Sequence, residues 1–457
     1  MTMKKNLLYI STAILSTLLI VLSTNTAKAQ LSNLGLQAEG LAQNNLANPA
    51  LMPTSSFVSL PFFGSFEMGI RTPLAYQDLF TKIDGANFIN SQGIINALDG
   101  NNNITSTNLN LDILNGGFYI GKNNYIGINM STKMHMATNM PGDILSMLTD
   151  NPIDLQTTTY DINFNPKIMG WAEVGLSYSR KLPLGITVGA RFKFLAGLMS
   201  VDGESNFRIK KDYDQYILDG NFNIKGGNLN IATMDTNESL NGLGSNLGFG
   251  ADIGAAWEGL DGRLKASAAV TDLGFINWNE HSSTIKGQGT GFHFNGLGEL
   301  QSLLDGGDIS SLMDSVSSSF TKTVGADTTA GKLKTTLPTR YQARAEYSLG
   351  KHKQHGLSAA FQGAQMTFRH FDYVLSAGYT YRSPNTRWQL MTNYSYRPNV
   401  PVAIGVAGAY MSRGVQIYLG IDNIIPIFDI RNAKQANFKL AINFMINKKN
   451  KTNQRPF

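Results

Sequence analysis

Long runs in which apolar and polar residues strictly alternate constrain this chain more than any other feature. In WAEVGLSYSR, Trp171 to Arg180, the residues Ala172, Val174, Leu176 and Tyr178 alternate with Glu173, Gly175, Ser177 and Ser179. A period of two belongs to a β-strand with one apolar and one polar face. In GITVGARFKFLAGL, Ile186, Val188, Ala190, Phe192, Phe194, Ala196 and Leu198 oppose Arg191 and Lys193. The pattern returns in GFGADIGAAWE from Gly248, RYQARAEYSLG from Arg340, RWQLMTNYSYR from Arg387 and NFKLAINFMIN from Asn437.

These runs last about nine to eleven residues or more, against about five or six for an ordinary globular strand. That is the length of a tilted strand crossing the hydrocarbon of a bilayer. Trp171, Tyr178, Tyr379, Tyr381, Trp388, Tyr394 and Tyr396 fall toward the ends of runs, where a membrane barrel carries its aromatic girdles. The polar faces combine glycine with Arg and Glu, which suits a crowded lumen better than the wet face of a sandwich. Closure also satisfies every backbone donor, which an open sheet in lipid cannot do. The expected fold is therefore all-β, a transmembrane antiparallel β-barrel of about 14 strands, an even number as in bacterial barrels.

The opening of the chain fits that destination. Lys4 and Lys5 precede the apolar stretch Leu7 to Leu22, and Ala27-Lys28-Ala29 stands before Gln30. Basic, apolar and small-x-small regions in that order predict a secretory signal peptide over 1–29, cleaved before Gln30. With zero cysteines, neither disulfide staples nor lipid attachment through cysteine is available. No later apolar run reaches the length of a spanning helix. The formal net charge of +6 includes Lys4, Lys5 and Lys28, so the remainder is weakly basic and implies no nucleic acid partner.

The predicted organisation is a plug-like segment over 30–56, a barrel over 57–447 and a basic tail over 448–457. Insertions interrupt the alternation near 77–104, 141–152, 201–246 and 279–336. Gln77 to Gly100, the stretch after Pro141 and Leu297 to Phe320 carry helical spacing, so they belong in loops at a mouth or in the lumen. Val201 to Leu240 is expected as a long hairpin extending above the membrane.

Motifs for catalysis are missing. None of the six histidines sits in H-E-x-x-H, and no G-x-S-x-G occurs. GGFYIGKN places Gly116, Gly121 and Lys122 at P-loop spacing, but Asn123 replaces the required Ser or Thr and the string sits on a strand pattern. His352 and His355 read as parts of an exposed turn. The expectation is no enzyme, no metal and no cofactor.

The segment NNLANPALMPTSSFVSLPFFGSFEMG contains Asn48, Pro49 and Ala50 just ahead of the first strand. It resembles the N-P-A opening shared by FadL-type fatty-acid channels and by Bacteroidota outer-membrane barrels of the type IX secretion and gliding systems. GFGADIGAAWE, LKASAAVTDLGFINW, LPTRYQARAEYSLG and GIDNI follow in the order of one Bacteroidota family, catalogued as a domain of unknown function and expected to form an outer-membrane barrel. The resemblance covers nearly the whole mature chain. It implies the outer membrane of a Gram-negative bacterium, with lipid, lipopolysaccharide and the barrel-insertion machinery as partners. It also implies that about Gln30 to Met52, including the Asn48-Pro49-Ala50 motif, forms a hatch plugging the lumen. The other interpretation is a plain turn that leads the chain into its first strand. The terminal Phe457 departs from the usual barrel signature, because NKKNKTNQRP separates it from the last apolar strand.

Two functions follow. One is a gated channel for a hydrophobic or small solute; the other is a non-conducting scaffold whose loops bind a secretion, gliding or cell-surface protein. Arg191, Arg340, Arg344, Arg387 and Arg397 are expected to face the lumen. There they either attract an anionic head group or form a structural ladder with Glu173 and Glu346.

Overall fold

The computed structural model describes residues 34–59, 64–83, 86–98, 103–143, 158–212, 215–228, 244–294, 327–367, 370–397 and 400–446. The predicted signal segment 1–29, residues 30–33, most of the insertion after Pro141, the insertion from Leu297 to Phe320 and the tail 448–457 lie outside the described residues.

Among the described residues, fourteen antiparallel staves close into a barrel. The first stave is in two pieces, β1 (Ser56–Ser59) and β2 (Ser65–Arg71). A two-stranded hairpin follows it, β3 (Phe80–Ile83) and β4 (Ala86–Ile89). Next come the staves β5 (Asn103–Ile120) and β6 (Asn124–Met140), the short β7 (Thr159–Ile162), then the staves β8 (Lys167–Lys181) and β9 (Ile186–Asp212). After β10 (Gln215–Gly227) come the staves β11 (Leu247–Gly259) and β12 (Leu264–Trp278). β13 (Ser282–Phe294), β14 (Asp327–Ala330) and β15 (Leu333–Thr336) precede the staves β16 (Arg340–Leu349), β17 (His355–Thr367) and β18 (His370–Arg382). β19 (Trp388–Arg397), β20 (Val400–Met411), β21 (Val415–Ile421) and β22 (Gln435–Ile446) complete the wall. β22 pairs with β1 and β2, and these pair with β5, so the wall of fourteen staves closes on itself.

The polarity of the wall is inverted relative to a water-soluble protein. Leu176 is 60% exposed and Phe194 57%, while their neighbours Glu173 and Lys193 are buried. Outward Val174, Phe192, Phe249, Leu357, Leu390 and Leu419 continue the apolar belt. Such a belt is stable against hydrocarbon, where every backbone group must find its partner within the barrel. Tyr178, Tyr379, Trp388, Tyr394 and Tyr396 stand in the exposed girdles. Trp171 corrects the expectation for its position: it shares the parity of Glu173, so it points inward and is buried. Proximity to a strand end does not override the side to which a residue's parity commits it.

The connections sort the two mouths. β5–β6, β8–β9, β11–β12, β16–β17, β18–β19 and β20–β21 join through short turns at one end, with Gly121 taking a φ of +68° that a Cβ would strain. The long connections leave the other end. There β9, 27 residues long, runs far past the bilayer crossing of about ten residues. Its outer half, from Ser200 to Asp212, pairs with β10 and in part with β7. β10 pairs in turn with β13, and β13 with β14, making a sheet that projects beyond the long-loop mouth. Residues 76–98 mix the β3–β4 hairpin with two short helices, Tyr76–Leu79 and Ser91–Ala97.

Candidate functional site

The lumen is filled from the short-turn end by a separate stretch of chain, Leu34 to Met52. It carries two single-turn helices, α1 (Leu34–Gln37) and α2 (Asn44–Ala47). Leu34, Ala38, Leu41 and Ala42 are essentially inaccessible. Leu34, Ala38 and Leu41 pack against Met391, Ala407, Ala409, Tyr418 and Ala441 of the wall.

So short a helix leaves most of its backbone groups without internal partners, and inward polar side chains of the wall meet them. Gln389 accepts from the Glu39 amide (3.0 Å) and donates to its carbonyl (2.9 Å). Gln416 does the same for the Ala42 amide (2.9 Å) and the Gly40 carbonyl (2.9 Å). Asn443 and Gln43 exchange amide hydrogen bonds at 2.8 and 2.9 Å. On β16, Gln342 donates to the Ala47 carbonyl (2.5 Å). The plug is thus tied by its main chain to side chains on several staves.

Asn48, Pro49 and Ala50 form the corner where this segment meets the wall. The Asn48 Oδ1 accepts from the Ala50 amide at 2.8 Å, an Asx turn. Its Nδ2 donates to the carbonyls of Ala255 (3.4 Å) and Ala268 (3.2 Å). The Pro49 carbonyl accepts from Ser179 at 2.5 Å. The residues make a turn, and the turn docks against β8, β11 and β12. Glycines provide the room. A Cβ on Gly189 would collide with the Pro49 carbonyl, one on Gly254 with Asn48 Oδ1, and one on Gly378 with the Gln37 amide.

Above the corner lies a belt of buried charge. Lys193 Nζ sits 2.6 Å from Asp272 and 2.8 Å from Asp252, with Glu173 at 3.8 Å. Lys133 bridges Glu173 (3.1 Å) and Asp272 (3.3 Å). Arg340 reaches Asp272 at 3.8 Å. Arg191 pairs with Asp252 at 3.0 Å and also holds the plug, donating to the carbonyls of Leu46 (2.9 Å) and Asn45 (2.6 Å) and to Asn45 Oδ1 (3.0 Å). Nearer the long-loop mouth, Met169, Trp171, Leu195, Ile276, Trp278 and Leu337 form an apolar layer inside the barrel.

The predicted charges therefore separate into groups. Glu173, Arg191 and Arg340 join the belt, while Arg344 and Glu346 pair with each other near the short-turn mouth, where Glu346 also binds Arg382 at 2.5 Å. Arg397 is buried elsewhere, in the field of Asp372 and Asp422. Arg387 is a correction: it lies in the exposed turn before β19 and does not face the lumen, because the strand starts at Trp388. Sequence reasoning passed over Lys133, Lys193, Asp252, Asp272, Lys265 and Arg382 as site residues. Strand parity marks Lys133, Lys193, Asp252, Lys265 and Arg382 as inward, whereas Asp272 turns inward only at an irregularity of β12 where its φ is +59°, and the partners come from strands distant in sequence. Among the described residues, no group of three or more His, Cys, Asp or Glu side chains is placed to hold a metal, and the belt's carboxylates already face ammonium groups.

Residues 49–422 match the profile described as "Family of unknown function (DUF5723)". The chain belongs to this family. The DUF5723 match begins inside the docking corner and runs through the wall to the end of β21. No curated protein matches the chain. Solved structures similar to this DUF5723 member include the Ralstonia pickettii toluene transporter TbuX, at 10% identity and a TM-score of 0.42, covering 89% of this chain and 94% of that one. A Pseudomonas aeruginosa FadL homologue is similar at 10% identity and a TM-score of 0.43, with 89% and 94% covered. The Pseudomonas putida toluene transporter TodX is similar at 11% identity and a TM-score of 0.41, with 88% and 93% covered.

Proposed function

We propose that the protein is an outer-membrane channel gated by its N-terminal plug, and that it passes a hydrophobic or small solute. The short-turn mouth faces the periplasm and the projecting sheet faces outward, as barrels of this kind place their turns and loops. The observation that carries this reading is the nature of the plug. Leu34 to Met52 joins the wall covalently only through the chain leading to β1, and reversible hydrogen bonds and ion pairs hold the rest. A barrel built only for rigidity would fill its lumen from its own staves. The apolar layer of Trp171, Leu195, Ile276 and Trp278 is the feature of the lumen that favours a hydrophobic solute. Outer-membrane lipid and lipopolysaccharide surround the belt, and the barrel-insertion machinery places it there.

Planar-bilayer conductance and solute uptake test the proposal. The full chain is expected to be closed or selective, and a variant lacking Gln30 to Met52 is expected to open. If neither form conducts or admits solute, the transport reading fails. The scaffold reading would then lead, supported by the sheet of β9, β10, β13 and β14 as a platform for a secretion, gliding or surface protein.

A further inference from the structure

A cavity of about 190 Å³ opens beside the plug near the short-turn mouth. Leu36, Leu41 and Met52 of the plug segment form part of its wall, and Lys265, Arg344, Glu346 and Arg382 of the barrel line it together with Glu39 of the plug. Lys265 pairs with Glu39, and Arg382 Nε lies 3.2 Å from the same carboxylate. Arg344 and Arg382 both pair with Glu346. Three cations thus share two partly or fully buried carboxylates, with Glu258 at the exposed rim. The guanidinium donors are not used up. Arg344 Nε and Arg382 Nη1 are buried with no hydrogen-bond partner among the described residues. Buried donors without acceptors are costly, and a guanidinium fork matches the oxygens of a carboxylate or phosphate.

We propose that this cavity binds a small oxyanion, a carboxylate or a phosphate, entering from the short-turn mouth and competing with Glu39 for Lys265 and Arg382. The volume lies below the roughly 300–1,000 Å³ of pockets for drug-sized ligands, which limits the occupant to a small anion or a compact anionic group. Glu39 is the plug's own anion at this site. An oxyanion that takes its cations leaves Glu39 held by its backbone alone, through Gln389. Binding and plug docking are then coupled, and the coupling acts in both directions. The proposal rests on Leu34 to Met52 being a removable plug.

Isothermal titration of the full-length protein in zwitterionic detergent, with inorganic phosphate and separately with acetate, tests it. At least one anion binds the wild type, and Glu39→Gln binds it about tenfold tighter because the competitor is gone. Arg382→Gln loses binding; Arg344→Gln provides the same test if the first variant fails to fold. Phosphate binding alone assigns a phosphate source, and acetate binding alone a carboxylate source. In a second measurement, a cysteine placed at buried Ala42 reacts faster with maleimide at saturating anion. No binding by wild type and Glu39→Gln overturns the proposal, as does equal affinity in the two or a labelling rate the anion does not change. A non-conducting plug deletion would defeat the channel reading and leave the titration result standing.

Discussion

Arg191 is the strongest single tie between plug and wall, and replacing it with methionine should free the plug while leaving the barrel closed as a sheet. The substitution removes three hydrogen bonds from the guanidinium to Asn45 and Leu46. A hydrogen bond to a charged group contributes about 1.5–3 kcal/mol, and such terms do not add fully, so the docked state should lose about 3–5 kcal/mol. Asp252 keeps Lys193 at 2.8 Å, so the belt is not left with a bare carboxylate. At about 1.4 kcal/mol per factor of ten, the undocked fraction should rise roughly a hundred- to several-thousand-fold. The chain has no cysteine, so Ala42→Cys provides a unique reporter at a buried plug position. Its maleimide labelling rate, with and without Arg191→Met, reads that fraction directly. An unchanged rate in a barrel that still migrates as a folded species on unheated gels would refute the assignment of Arg191 as the plug's anchor.

Gly254→Val should displace the Asn48 corner and raise the same labelling rate, whereas Gly408→Ala, whose added Cβ would meet only Leu390 at 3.9 Å, should leave it within experimental error. Lys193→Met removes the ammonium closest to Asp272 and Asp252 but leaves Glu173 and Asp272 with Lys133 and Asp252 with Arg191, so it should destabilise the fold by about 1.5–3 kcal/mol, seen as a lower temperature for the loss of the folded band on gels. Trp278→Ala opens a void in the lumen layer and should cost about 3–5 kcal/mol in the same assay. Arg387→Ala, in an exposed turn, should change stability by no more than about 0.5 kcal/mol.

The staves were legible because lipid enforces a strict rule on them. Over Ala172 to Ser179 every second residue must tolerate hydrocarbon and the others must tolerate a packed lumen, so parity and face coincide. The same rule exposes one of the two misplaced residues, and the strand boundary the other. Trp171 is inward by parity despite its position near a strand end, and Arg387 precedes the strand whose alternation it seemed to continue. What parity does not encode is who meets whom across the lumen. Lys193 and Asp272 are far apart in sequence and meet across the intervening stave β11, and Glu39 finds Lys265 only once the plug is seated. The first stave also hid its break, since β1 and β2 read as one continuous approach to the barrel. The Asn48 corner was visible as a turn, but its docking depended on glycines at 189 and 254 whose purpose is evident only beside the plug.

β9 runs without interruption from Ile186 in the membrane to Asp212 beyond it, and Arg191 and Lys193 are carried on the same backbone. Tilting the outer sheet therefore tilts the beam that carries the plug's main anchor. A molecule that settles on the projecting end of that sheet has a mechanical handle on the latch at the far end of the lumen, with no need to enter the barrel.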